Sequence, residues 1–180
     1  MFIAHLPVGY LITQAVMKRC GVRIRATHPF LLAGLVASVF PDIDLLYFYL
    51  VDLRQHHHHT YWTHIPLFWL VTLAISFLVL KRVGNPSHRL PLAIFGLNIF
   101  GHLLLDTVVG DIWWLGPWVD QPYAMFTVPA RFQPWQLNFL LHWSFGLELL
   151  LVCVAYRQHI RNRQFVDFTL PTSSAHITRS

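Results

Sequence analysis

Charge is what this sequence has least of. Charged residues occupy 12% of its 180 positions, about half the share of an ordinary soluble domain. Hydrophobic residues make up 55%, and mean hydropathy is +0.48. Together these exclude a typical soluble domain and point to a lipid environment. Cysteine is scarce too: Cys20 and Cys153 have no metal-type spacing and offer no disulfide framework. The first residues carry no basic start, and no small-residue cleavage site closes the first apolar run. No cleavable leader is therefore expected. There is no internal repeat, and the only biased tract is His56-His57-His58-His59. The length allows one domain.

What is present is a series of apolar runs at 2–17, 29–53, 65–80, 90–109 and 135–156. Runs of about 20 apolar residues cross a bilayer as helices, and the first is marginal at about 16. The expected fold is all-α, a polytopic transmembrane helical bundle of about four full spans plus a shorter N-terminal helix. Residues 1–156 would form the membrane-embedded domain and 157–180 a polar cytoplasmic tail. Pro41 lies in the middle of the second run, where it frees backbone groups and predicts a break facing protein rather than lipid. Most basic residues, among them Lys18, Arg19, Lys81, Arg82, Arg89, Arg157 and Arg161, fall in alternate connections or the tail. The positive-inside rule puts those in the cytoplasm, so the His-rich loop and the Trp-rich loop after the fourth run face out. Trp113, Trp114, Trp118 and Trp135 read as interfacial anchors.

Against this apolar background a few groups stand out: His5, Asp42 and Asp44 after Pro41, His59 and His64 around Thr60–Thr63, and His102 with Asp106. The topology brings His5, Asp44, His64, His102 and Asp106, together with His142 of the last run, to one layer near the outer face. Buried carboxylates and imidazoles are costly in lipid, and metal ligation is one reason to keep them there. His102 and Asp106 are four apart, so a helix presents both on one face, either to one ion or to a packing hydrogen bond. Asp42 and Asp44 are two apart and would diverge on a straight helix, so only a break at Pro41 turns both inward. His5 reads either as a ligand or as an interfacial histidine. His142 reads as a supporting group behind the ligands or as a helix-packing histidine. At least two of the four consecutive histidines are expected to be solvated. Glu148 lies six residues from His142, off its helical face, and is not paired with it.

In order and spacing, His5, Pro41-Asp42-Ile43-Asp44, His59-Thr60-Tyr61-Trp62-Thr63-His64 and Gly101-His102-Leu103-Leu104-Leu105-Asp106 resemble a known family. It is the bacterial membrane-bound metal-dependent hydrolases, the group that includes the LexA-binding, inner-membrane-associated YdjM-like proteins. The resemblance covers roughly residues 1 to 120. It implies a multi-pass protein of the bacterial inner membrane with a divalent metal site, and more weakly a hydrolase. One departure is Thr60, where the family carries a basic residue. On this reading His5, Asp44, His59, His64, His102 and Asp106 are metal ligands, and Asp42 is the general base or a ligand to a second metal. Zinc is the first candidate, with manganese or iron as alternatives for the mixed His and carboxylate set. The excess of ligands leaves room for two ions. A lipid-borne ester or phosphoester at the outer face would be the substrate, and no nucleic-acid partner is expected. The alternative is a non-catalytic metal-binding transport or sensor protein.

Overall fold

The computed structural model describes residues 3–22, 29–83 and 86–169. Among them the regular elements are helices, with no named strand: α1 (His5–Arg19), α2 (Pro29–Val39), α3 (Asp44–Leu50), α4 (Pro66–Val83), α5 (Arg89–Thr107), α6 (Gln136–Leu140) and α7 (Trp143–Thr169). Single 3-10 turns occupy Pro41–Ile43, His58–Thr60, Trp62–His64 and Pro86–His88. Arg23, Arg25 and residues 170–180 of the C-terminal tail lie outside the described residues.

Helices α1, α2 and α5 pack on one another and form the centre. α4 lies against α5, and α7 lies against α1. The central helices approach closely because small residues meet hydroxyls. A Cβ added at Gly34 of α2 would collide with Thr13 Oγ1, and one at Gly9 of α1 would collide with Ser38 Oγ. Such contacts suit lipid, where association depends on packing and interhelical hydrogen bonds rather than on exclusion of water. Asn98 Nδ2 donates to Thr13 Oγ1 at 3.1 Å and back to the Ile94 carbonyl at 2.8 Å, tying α5 to α1. α7 holds α1 near both ends. Glu148 accepts from the Ile3 and Ala4 backbone N–H groups (2.6 and 3.1 Å), and Asn162 Nδ2 donates to Gln14 Oε1 (2.8 Å) and Tyr10 Oη (3.2 Å).

The expectation of four full spans is corrected to two or three among the described residues. α4 and α5 are each long and apolar enough to cross a bilayer. α4 turns Leu70, Val71, Ile75, Leu78 and Val79 outward, as a lipid-facing helix does, while half of α5 is buried. α2 with the segment Pro41–Leu50 passes the same test only as a pair bent by 57°, a broken span or a re-entrant loop. α1 has 15 residues, about 22 Å at 1.5 Å per residue, short of the roughly 30 Å hydrocarbon layer. The last apolar run is cut at Leu141 and His142, between α6 and α7. What remains apolar before Arg157 is about 14 residues, or about 21 Å, and Glu148 sits within it. Beyond Arg157, where the sequence suggests a tail, α7 continues to Thr169.

The long connection after α5 folds back on that helix. Met125 and Phe126 N–H groups bond the carbonyls of Thr107 and Val108 (2.8 and 3.0 Å), and Ile112 pairs with Tyr123 as an antiparallel bridge. Carbonyls that a helix end leaves without intrahelical partners are thereby satisfied.

Two expectations follow. In intact cells, Gln121→Cys in the long connection labels with an impermeant thiol reagent, whereas native Cys20 and Cys153 do not. Labelling at Cys153 with the introduced thiol protected would reverse the orientation. Gly34→Ala lowers stability in detergent by about 1–3 kcal/mol through overpacking on Thr13. Gly146→Ala, which meets nothing within 4 Å, is neutral or gains up to about 1 kcal/mol of helix propensity. Thermal unfolding of the two variants side by side measures both.

Candidate metal centre

The centre is assembled at one end of the central helices. On α5 the residues Ile94, Asn98, His102 and Asp106 recur every four positions and are all buried, so one stripe runs down that face to the imidazole and carboxylate. On the second run the break at Pro41 has the effect expected from the sequence. α2 stops at Val39, the chain turns through Pro41–Ile43, and α3 starts at Asp44. The turn directs both Asp42 and Asp44 inward. His64 closes the turn Trp62–His64, which Trp69 pins by donating its indole N–H to the Thr63 carbonyl at 2.7 Å. His5 opens α1, and the carboxylate of Glu148 fixes the backbone just before it.

Four side chains converge. His102 Nε2 lies 2.9 Å from Asp106 Oδ2, 3.6 Å from Asp42 Oδ1 and 3.4 Å from His64 Nε2. His64 Nε2 lies 3.7 Å from both Asp42 Oδ1 and Asp106 Oδ2. His64, His102 and Asp106 are almost wholly buried, and the Asp42 side chain is 29% exposed, so Asp42 borders the open side. His5 flanks the group: its ring stacks on His102 at 3.8 Å, and its Nε2 lies 3.1 Å from Asp106 Oδ1.

The outer nitrogens of three rings are fixed by acceptors. His102 Nδ1 donates to the Ser38 carbonyl (2.8 Å), His59 Nδ1 to the Asp111 carbonyl (3.1 Å) and His64 Nδ1 to Asp44 Oδ2 (2.6 Å). Thr63 Oγ1 donates to the same Asp44 oxygen. With Nδ1 as the donor, the neutral ring presents a bare Nε2 lone pair. The Nε2 atoms of His64 and His102 therefore point toward each other and two carboxylates, an arrangement that could hold a cation among them. Metal-binding histidines are oriented in this way, by a carboxylate or carbonyl on the far nitrogen.

The spacing also fits. Metal–ligand lengths of about 2.0–2.1 Å in a tetrahedron give ligand–ligand separations of about 3.3–3.4 Å, and five of the six separations here run from 2.9 to 3.7 Å. The four residues Asp42, His64, His102 and Asp106 could hold one metal ion, and His58, His59 and His64 form a second such group. Burial pushes the His59 imidazole down to about 2, which keeps it neutral as a ligand must be. For His64 burial acts in the same direction, but hydrogen bonds to Asp106 and Asp44 and their negative charge outweigh it and raise the ring to about 9. The pocket thus favours positive charge, and a metal there would compete with a proton.

His5, Asp42, Asp44, His59, His64, His102 and Asp106 are all brought together. Asp42, read from sequence as the base, lies among the ligand atoms, and Asp44, read as a ligand, stands behind His64. His142 does not join them; its Nδ1 bonds Ser144 Oγ at 2.9 Å. In the loop, His56 is held by Asp52 at 2.6 Å and is exposed, and these hydrogen bonds draw the Asp52 carboxyl down to about 2. Thr60, at the family's basic position, donates to the His57 carbonyl at 2.7 Å and closes the turn. Sequence reasoning missed His58 and the part played by Glu148. A lone carboxylate in an apolar run was the signal for Glu148, but its backbone partners lie in the chain's first residues, 145 and 144 positions away.

Searches of curated proteins and of solved structures return no match. The model of the YdjM inner membrane protein family matches residues 1–169, which takes in every helix and every residue of the centre. The apolar helices agree with a bacterial inner-membrane location, and the chain belongs to the YdjM inner membrane protein family.

Proposed function

We propose that this chain is a metal-dependent hydrolase embedded in the inner membrane and acting at its outer face on a lipid-borne ester or phosphoester. The observation that carries the reading is the convergence of His64 Nε2, His102 Nε2, Asp42 Oδ1 and Asp106 Oδ2 at near-tetrahedral separations. These four residues would hold one divalent ion, zinc first, with manganese or iron as alternatives. Such an ion supplies Lewis acidity and lowers the pKa of water at its open position.

The protein's own groups account for the rest. Asp44 and the Ser38 carbonyl lock the His64 and His102 rings with Nε2 inward. Asp42 has one oxygen in the ligand set, and its Oδ2, on the open side and 4.0 Å from His5 Nδ1, can accept a proton from an attacking water. His5, stacked on His102, can pass that proton on. A cavity of about 660 Å³ lined by Leu104, Thr107, Trp114, Leu115, Tyr123 and Met125 opens along the last turns of α5, where Thr107 follows Asp106. Its apolar walls suit an acyl chain, which supports the lipid-borne class.

A buried polar series favours the transport reading: Ser38, Asn98, Thr13 and Gln14 continue from the centre between the central helices. Against it, the contacts of Gly9 on Ser38 and Gly34 on Thr13 leave no room for an ion between those helices. Hydrogen bonding between helices accounts for the series.

In elemental analysis of purified protein, His102→Ala and Asp106→Ala lose most bound metal, and His57→Ala in the exposed loop keeps it. Equal loss in all three would place the site in the loop. In a screen of lipid esters and phosphoesters, turnover stops with chelator and returns with zinc or manganese; turnover by metal-free protein would refute the mechanism. Asp42→Asn lowers turnover by about 10²–10⁴-fold. Asp44→Asn, which leaves His64 Nδ1 without a carboxylate partner, weakens metal affinity by about 10–100-fold.

A further inference from the structure

The loop that carries His64 brings two more imidazoles to the centre. His59 Nε2 lies 3.8 Å from Asp106 Oδ2, the oxygen that is also 2.9 Å from His102 Nε2. His58 packs on His59 with ring centroids 4.1 Å apart, and its Nδ1 lies 3.8 Å from Asp44 Oδ1. The His58 nitrogen and this Asp44 oxygen are both buried, and neither has a hydrogen-bond partner. The Asp44 side chain is only 4% exposed, and its other oxygen is already engaged by Thr63 and His64. A buried carboxylate oxygen and a buried imidazole nitrogen left unpaired each carry a desolvation cost, and the two face each other across a gap too long for a hydrogen bond. His64 Nε2 cannot serve two ions, because one ring nitrogen has one lone pair.

We infer that a second divalent cation binds beside the first, held by His58 and His59 between the carboxylates of Asp44 and Asp106, which makes the centre binuclear. The inference rests on the mononuclear reading above and narrows its substrate. Paired sites with ions about 3.5–4 Å apart serve in-line displacement at phosphorus, where one ion faces the attacking oxygen and the other the leaving oxygen. The substrate class becomes a lipid-borne phosphoester. In the reaction a bond forms between water oxygen and phosphorus, and the phosphorus–oxygen ester bond breaks. A proton of the water passes through Asp42 Oδ2 to the leaving oxygen, so one water is consumed and a phosphate and an alcohol are released.

Gly110 agrees with this placement. A Cβ there would come within 2.6 Å of His59 Cε1, so the glycine lets the ring lie flat against the end of α5.

The test uses full-length protein in detergent, stripped and reloaded with manganese. Metal is counted per chain, and coupling between ions is read by electron paramagnetic resonance. The expected result is two ions per chain with a spin-coupled signal. His58→Ala falls to one ion with an uncoupled signal, and His56→Ala keeps two. His58→Asn serves as the second variant if the alanine variant does not fold, with the same loss of coupling expected. One ion per chain in the native protein, whether or not His58 affects it, overturns the second site and leaves the mononuclear centre standing. No bound ion in the native protein overturns both.

Discussion

The constraint on which the rest depends is the meeting of acceptors in an apolar interior. Two imidazole lone pairs and two carboxylates lie within 4.8 Å of one another, where low polarity makes uncompensated charge expensive. Each helix contributes to holding that arrangement. α5 supplies two ligand positions on a single stripe, the break at Pro41 turns two carboxylates inward, and the turn Trp62–His64 inserts a ring between them. Because the far nitrogens are bonded to Ser38, Asp44 and Asp111, the rings cannot rotate to relieve the crowding.

The surrounding bundle is built to tolerate little movement. Helices α1 and α2 meet through glycine against hydroxyl, which brings their backbones close. α7 clamps α1 near both ends with polar side chains from a largely apolar helix. Glu148 thereby gains a structural explanation. Its carboxylate satisfies N–H groups that a helix start leaves open and sits where the helix dipole favours negative charge. Without it, the backbone leading into His5 would have no fixed entry into the site.

The outside of the molecule is arranged differently. α4 turns an apolar face of Phe68, Leu70, Val71, Ile75, Phe77, Leu78 and Val79 outward, and the Trp-rich connection folds back on the end of α5 beside an apolar cavity. Trp118 and Trp62 are exposed and Trp69 is buried, so the tryptophans divide between interfacial and packing positions. The cluster of His64, His102, Asp42 and Asp106 and the cavity lie toward the same end of α5.

Sequence alone determined the helical class, the low-charge membrane character, the break at Pro41 and the placing of His102 and Asp106 on one helix face. These depend on composition and on spacings within one element, and the chain carries them locally. It also pointed to the histidines and aspartates that gather, because a polar residue in an apolar run has few other reasons to be there. Tertiary structure decided the rest. The number of spans fell because the second run passes only as two bent halves taken together and the last run is cut at His142, and both limits follow from where a helix ends. The positions of Asp42 and Asp44 relative to His64 depend on how a bent segment meets a distant turn. Within a run of four identical side chains the spacing from His64 marked only His59, and His58 could not be told from His56 and His57. Only the fold of the loop against Asp111, Gly110 and Asp44 separates the buried pair from the solvated one.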